Sequence, residues 1–319
     1  MTSGRRASPL LAATVAIVTA LMVTGTACGT GRAVYDLAPP ARPGQPAGTV
    51  LLDSGSTVAA TTKRLQDAIT RSGGTVGAVV DHSADAKAVG VTLPANTVVI
   101  GGSATAQDPL LRVDQGAGAT LPGRYLVRAG ADGTATVLYD GADYLAAVSG
   151  VATPGTARAL TTETTSVAAA GAGVTAVPLA APLLGVTPTG FLVVTPGESE
   201  VPATVARLRR NVDRPSTVVA TIDLAAGSAT PGPALRPTVE LLVSTPEAEA
   251  PLIAAAPSFG LEMPMRFVVW QDDKQITQIA YPDVRVLAAR HGIPATDPNV
   301  VRLAADAARL AKVAAGKAA

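Results

Sequence analysis

Apolar and polar positions along this chain fall into short runs that predict strands and helices in a fixed order. Residues 49–52 form a short apolar run, and Ser54-Gly55-Ser56-Thr57 then supplies turn and helix N-cap chemistry. Val58, Thr62, Leu65 and Ile69 share one face of the helix that follows, which Gly73 and Gly74 end. Strands are predicted over 75–80, 97–100, 124–128 and 134–139, the last two flanking Ala131-Asp132-Gly133, a strong hairpin signal. A helical segment over 143–148, stopped by Gly150, closes the series.

The series is then written again. An offset of 142 carries Pro109 onto Pro251, Pro122 onto Pro264, Tyr139 onto Tyr281, Leu145 onto Leu287 and Gly150 onto Gly292, and Asp81 onto Asp223. A constant offset that matches prolines, glycines and tyrosines, residues with particular backbone or packing demands, marks a duplicated unit. The second copy restarts with a strand at 191–194, a helix on Val201, Val205 and Leu208, and a strand at 217–222 after Pro215. Matching Leu208 to Leu65 needs an offset of 143, so one residue is lost between that helix and Asp223.

Consecutive strands joined by short turns imply a mostly antiparallel sheet, and amphipathic helices need a sheet face to cover. The predicted fold class is α+β: two repeated domains, each strand, helix, four strands, helix. The expected boundaries are a signal peptide over 1–27, a Pro/Gly/Ala-rich tether over 28–47, the first repeat over 48–151, an Ala/Thr/Gly/Pro linker over 152–188, the second repeat over 189–293, and an Ala-rich helix over 294–319. In that last segment Val300, Leu303, Ala307, Leu310 and Ala314 recur at helical spacing, which predicts docking on the second domain.

The N-terminus changes the picture from architecture to location. Arg5 and Arg6 precede an apolar stretch over 10–23, and Gly25, Thr26 and Ala27 stand directly before Cys28, the layout of a secretory signal. The arrangement resembles the lipobox of bacterial lipoproteins, which implies lipidation of Cys28 and cleavage after Ala27, with Gly25 where that motif usually has Leu. An uncleaved membrane anchor is the alternative, since about 18 apolar-leaning residues lie near the lower limit for a spanning helix. Either way the remainder is expected on the extracytoplasmic face of the cell membrane, with the membrane as its partner through Cys28.

Composition narrows the function classes. Apolar residues make up 48% and aromatics 3%, so the two cores must be built from small aliphatics. With 25 basic against 24 acidic residues and no dense basic run, no nucleic-acid partner is expected. Removal of 1–27 would leave 23 basic against 24 acidic residues, too balanced for charge to drive membrane attachment. A single cysteine excludes an intramolecular disulfide.

The run DHSADAKAVGVTLP beginning at Asp81, the later Leu-Pro before a strand, and the hairpin ending in Tyr139 resemble the bacterial family known as domain of unknown function 302. LEMPMRFVVWQDDKQITQIAYPDVRVLAARHGI, ending at Ile293, resembles the C-terminal half of the same family. The resemblance covers roughly 48–293 and implies an α+β unit with no established activity. Family members often carry Gly-Asn-Pro after the third strand; this chain has Gly101-Gly102-Ser103 and Val243-Ser244-Thr245-Pro246.

Candidate chemistry is sparse. The two histidines, His82 and His291, stand where the other copy has Leu224 and Ser149. If the repeats pair as a pseudo-dimer, the two could meet in one composite ligand site with Asp81, Asp223, Tyr139 or Tyr281 nearby. The plainer roles are a turn cap for each Asp, ring packing for each Tyr and a solvated or capping imidazole. Two histidines fall short of a zinc ligand set, and the sequence has no His-Glu-Xaa-Xaa-His, no Gly-Xaa-Ser-Xaa-Gly and no phosphate loop. No metal and no cofactor are therefore expected. The reading favoured is an exported, membrane-anchored, non-catalytic binding or scaffolding lipoprotein; the alternative is a small-ligand sensor or enzyme that uses a cleft between the repeats.

Overall fold

The computed structural model describes residues 45–130, 132–151, 155–183, 186, 188–227 and 233–317, together with Met1. The predicted signal segment, Cys28, the tether up to residue 44 and Ala131 of the hairpin lie outside them. Among the described residues no helix is long and apolar enough to cross a membrane.

The first repeat runs β1 (Thr49–Ser54), α1 (Val58–Arg71), β2 (Thr75–Asp81), α2 (His82–Ala88), β3 (Asn96–Gly102), α3 (Ala104–Val113), a 3-10 turn (Gln115–Thr120), β4 (Arg124–Ala129), β5 (Ala135–Asp140), α4 (Ala142–Val148) and α5 (Arg158–Ala172). The second runs β6 (Leu192–Pro196), α6 (Val201–Arg210), β7 (Thr217–Asp223), β8 (Thr238–Ser244), α7 (Pro246–Ala255), a 3-10 turn (Pro257–Leu261), β9 (Met265–Gln271), β10 (Thr277–Pro282), α8 (Val284–Arg290) and α9 (Pro298–Ala314). Each repeat holds one antiparallel five-stranded sheet, ordered β1-β5-β4-β3-β2 and β6-β10-β9-β8-β7. The duplication extends to irregularities, since the ladder shifts register between Val76 and Ala78 and again between Val218 and Ala220. The fold is thus the expected pair of α+β repeats. Of the helices not anticipated, α2, α3 and α7 are short, and α3 and α7 carry Pro109 and Pro251 inside them.

The linker expected over 152–188 is corrected by α5. Its Ala, Thr and Gly residues give little apolar contrast between faces, yet Leu160, Thr164, Val167, Ala168 and Gly171 are buried, and the helix packs on α1. Gly171 permits that approach: a Cβ there would lie 2.2 Å from Leu65 Cδ2. An offset of 143 carries these five onto Leu303, Ala307, Leu310, Ala311 and Ala314, the buried face of α9, and carries Gly173 onto Gly316, both at positive φ. The expected linker and the expected tail are therefore one element of the repeat, and α9 packs on α6, α7 and α8. The end of the tether is corrected as well. Gln45 and Ala47 are buried, and Gln45 Nε2 donates to Thr49 O at 2.9 Å.

Each sheet has an outer and an inner face. On the outer face of the first, α1 and α5 cover Val99, Tyr125, Val127, Val137 and Tyr139 with Leu65, Ile69 and Val167. The ring pairs repeat too, Tyr125 with Tyr139 at 5.9 Å and Phe267 with Tyr281 at 5.5 Å. The inner face, Leu51, Val98, Ile100, Leu126 and Leu138, is closed by Leu242 and Leu261 of the second repeat. Ala119 of the first repeat in turn meets Val268, Trp270 and Ala280. The alternation of strand side chains gives each sheet two apolar faces, and the second can be buried only by the other repeat.

Candidate functional site

The seam between the repeats concentrates the buried polar groups. Each 3-10 turn lies on the inner face of the opposite sheet, and a glycine makes the contact close. A Cβ on Gly118 would lie 2.8 Å from Val268 and 2.9 Å from Leu224; one on Gly260 would lie 2.5 Å from Asn96 Oδ1, 3.1 Å from His82 and 3.2 Å from Leu126. Leu224 and Val268 are the counterparts, 142 positions on, of His82 and Leu126, so the two contacts are one contact made twice.

Arginines repeat the reciprocity. Arg124, buried at the start of β4, donates to the backbone oxygens of Leu261 at 3.2 Å, Glu262 and Pro264 at 2.6 Å. Its counterpart Arg266 donates to Pro122 O at 2.9 Å. Asn96 Nδ2 donates to Pro257 O at 2.9 Å, and in the matching place Gln115 Nε2 donates to Thr238 Oγ1 at 2.7 Å. Each repeat thereby satisfies carbonyls that the turn of the other leaves without a ladder partner.

Charge is not reciprocal. At one end of the seam Arg290 bonds Asp140 Oδ1 at 2.6 Å, Glu262 Oε1 at 2.8 Å and Ala47 O through two N–H groups at 3.0 and 2.8 Å. Its guanidinium carbon lies 3.6 Å from the centre of the Tyr144 ring. His291 joins through Nε2, 2.8 Å from the same Glu262 oxygen, and Nδ1, 2.9 Å from Ser258 Oγ. Burial lowers the His291 pKa, so the neutral ring donates from Nε2 to the carboxylate and accepts the Ser258 proton on Nδ1. Burial pushes Glu262 up, but the His291 hydrogen bond and the charge of Arg290 outweigh it and hold the carboxyl at about 2. Burial raises Asp140 against the opposing pull of Arg290. The counterparts of Arg290, Glu262, Asp140 and His291 are Val148, Thr120, Pro282 and Ser149, a set with no charge.

Deeper in the seam Glu240 is buried with Oε1 3.3 Å from Arg266 Nε, and burial lifts its carboxyl to about 7. A cavity of about 20 Å³ beside the charged cluster is lined by Arg124, Asp140, Tyr144, Glu262 and Arg266, room for about one water-sized group. A larger groove of about 320 Å³ opens between the repeats elsewhere, lined by Thr75, Gln107 and Pro122 on one side and Ile222, Asp223 and Leu224 on the other.

The residues singled out in the sequence are placed as follows. His82 Nε2 donates to Gly260 O at 3.0 Å, and burial lowers its pKa to about 4. His82 and His291 both bond the Pro257–Leu261 turn or its flank, through different atoms, and share no partner. Asp81 caps α2, accepting from Ser83 N at 3.0 Å and Ala84 N at 3.1 Å. Asp223 accepts from Ala225 N and Ala226 N at 2.9 and 3.1 Å, and it also lines the larger groove. Tyr139 and Tyr281 pack on the outer faces, away from both histidines' partners. The residues that sequence reasoning passed over are Arg290, Glu262, Asp140, Arg124, Arg266 and Glu240. One signal was available: Arg124 and Arg266 are charges kept at matching strand positions among apolar neighbours.

The family model described as domain of unknown function DUF302 matches twice, over residues 50–170 and 193–314, and each match takes in most or all of the closing helix, α5 or α9. Among solved structures, the crystal structure of an uncharacterized conserved protein DUF302 from Bacillus stearothermophilus is similar at 18% identity, covering 39% of this chain and 98% of that one, with a TM-score of 0.35. Comparison with curated proteins gives no match.

Proposed function

We propose a function from a premise already shown: the chain belongs to the DUF302 family and carries its domain twice. It is an exported lipoprotein, lipidated on Cys28 and held at the extracytoplasmic face of the cell membrane, where the paired repeats act as a non-catalytic binding or scaffolding module. The export reading rests on the order of Arg5, Arg6, the apolar stretch over 10–23, the small residues Gly25, Thr26 and Ala27, and Cys28. The acyl chains of a lipoprotein would make the attachment stable.

One observation carries the non-catalytic reading: both histidines and the ionic cluster around Arg290 are engaged in holding the seam, His82 and Arg290 across the repeats and His291 within the second. His82 holds Gly260, His291 holds Ser258 and Glu262, and Arg290 ties Asp140, Glu262 and Ala47 together. His82, lowered by burial to about 4, and Glu262, held at about 2 by the His291 hydrogen bond and Arg290, each keep one protonation state through the neutral range, which suits cohesion rather than proton transfer. The second reading, a ligand-dependent sensor or an enzyme, is favoured by the groove of about 320 Å³ shared by the two repeats.

The test is expression of the full chain and of Cys28→Ser in a bacterial host, with mass analysis of the N-terminal peptide. An acylated Cys28 peptide beginning at residue 28, and a Cys28→Ser chain lacking that acyl mass, are expected. An unmodified Cys28 behind an intact N-terminus overturns the lipoprotein reading in favour of an uncleaved anchor.

A further inference from the structure

The two repeats cap the helix after their third strand differently, and the difference frees one buried amide. In the second repeat Glu249 of α7 accepts from Thr245 N at 2.8 Å and from Ser244 Oγ at 2.9 Å, so both carboxylate oxygens are engaged. The counterpart in α3 is Gln107. Neither of its matching partners is available: Ser244 is replaced by Gly102, which has no hydroxyl, and Ser103 N donates instead to Glu163 Oε1 of α5 at 2.7 Å, with Ser103 Oγ on Oε2 at 3.0 Å. Gln107 is only 5% exposed, and among the described residues its carboxamide has no hydrogen-bond partner. Its polar atoms are not among those sealed from solvent, so the amide opens on the groove and offers a donor and an acceptor there.

That amide lines the groove of about 320 Å³ between the repeats, a volume at the lower end for small-molecule sites. Pro122, Ala104, Ile222 and Leu224 make its walls largely apolar, and Asp223 is the one ionisable residue of the lining. Asp223 Oδ1 is engaged by Ala225 N and Ala226 N, while Oδ2 makes no hydrogen bond to a described residue. After Asp81, the counterpart of Asp223, the chain winds into α2, which packs on α7; after Asp223, residues 224–227 form a turn. The pseudo-equivalent space is filled by a helix on one side, and on the other no described helix enters it.

We propose that this groove binds a small organic cation or N–H donor with an apolar body, its donor group on Asp223 and its remaining polar group paired with the Gln107 carboxamide. The proposal deepens the reading of the chain as a binding module and rests on it. Four probes of similar length test it on the full chain in lipid nanodiscs: 4-aminobutyramide, which carries both polar groups, butylammonium, butyramide and butyrate, with hydrogen exchange followed over β7 and α3. 4-Aminobutyramide is expected to protect both segments most, butylammonium and butyramide less, and butyrate not at all. Asp223→Asn, which keeps an oxygen for the two backbone donors, should weaken butylammonium about two- to fivefold, what an exposed ion pair is worth. Gln107→Leu should lower protection by 4-aminobutyramide to the level given by butylammonium and leave butylammonium itself unchanged. Equal protection by butyrate, no protection by any probe, or an Asp223→Asn chain that binds as well as the parent overturns the site. A Gln107→Leu chain that binds 4-aminobutyramide as well as the parent overturns the placement of the second polar group. Acylation of Cys28 is read separately, so loss of this site would leave the anchored-scaffold reading standing.

Discussion

The two ends of the seam are built on the same backbone and from different chemistry. At one end Arg290, Glu262, Asp140 and His291 form a buried ionic cluster that also grips Ala47, where the chain enters the fold. At the other end the same positions hold Val148, Thr120, Pro282 and Ser149. Between them the contacts that Gly118 and Gly260 each make with the opposite sheet, and that Arg124 and Arg266 each make with opposite carbonyls, are shared by both halves. Close packing and carbonyl capping are therefore what the paired fold requires, while the charged cluster is an addition made on one side. A uniquely charged end also fixes which end the N-terminal segment joins, since Arg290 binds Ala47 O with two N–H groups.

The comparison is broken most severely by Arg290→Met. It leaves Asp140 and Glu262 buried without their cation and should cost about 3–5 kcal/mol in chemical denaturation, because an uncompensated buried charge is the expensive outcome. Adding Asp140→Asn and Glu262→Gln should return most of that loss, as the neutral counterpart end predicts. A single Arg290→Met chain that stays near parental stability would mean the cluster contributes nothing to holding the seam.

Next in size are Gly118→Ala and Gly260→Ala. Each places a methyl group well inside contact distance of the opposite sheet, 2.8 Å from Val268 and 2.5 Å from Asn96 Oδ1 respectively, and overpacking of this kind costs about 1–3 kcal/mol. Similar losses at the two positions, read from denaturation midpoints, would sharpen the reciprocity; a loss at one alone would break it.

The pH dependence is smaller and one-sided, since Glu240 and His82 titrate while their counterparts Val98 and Leu224 do not. With Glu240 raised by burial from 4.5 to about 7, the folded chain holds a proton that the unfolded chain has released, so this stability is lost as pH rises from about 4.5 through 7. With His82 lowered by burial from 6.5 to about 4, the unfolded chain binds a proton that the fold refuses. That contribution is present above 6.5 and lost as pH falls toward 4. The two windows overlap with opposite slopes and largely cancel in the parent, so Glu240→Gln should leave stability rising with pH between about 4 and 6.5, and His82→Leu should leave it falling between about 4.5 and 7. Unaltered slopes in both variants would contradict the burial of these groups in the seam.

The smallest expected difference lies in the matched aspartates. Asp81 caps a seven-residue helix and Asp223 a turn, so Asp81→Ala should cost about 1 kcal/mol and Asp223→Ala less. Thermal denaturation of the two variants side by side reads it.

What could be read in the sequence follows from how far apart the interacting residues are. The strands, α1 and the hairpin were legible because alternation and turn chemistry act within a few residues, and the duplication was legible because prolines, glycines and tyrosines recur at one offset. The helix α5 was not, since its buried face is Leu160, Thr164, Val167, Ala168 and Gly171, whose small side chains give almost no amphipathic contrast. Its identity emerges only when it is laid against α9 at an offset of 143, one residue away from the offset that aligns the strands. The seam was the least legible part. Arg290 meets Ala47 and Asp140 from 243 and 150 positions away, and no local pattern announces that three such distant groups converge. The histidines drew notice because they are rare; the arginines beside them, which make more of the contacts, did not.

The central claim is that the reciprocal turns and arginines make the two repeats one cooperative unit, and native-state hydrogen exchange with increasing denaturant tests it most directly. Amides of β4 in the first repeat and β9 in the second should open with the same free energy and the same denaturant dependence, and Arg124→Met should lower both by equal amounts. Separate opening energies for β4 and β9, or an Arg124→Met effect confined to the first repeat, would contradict it.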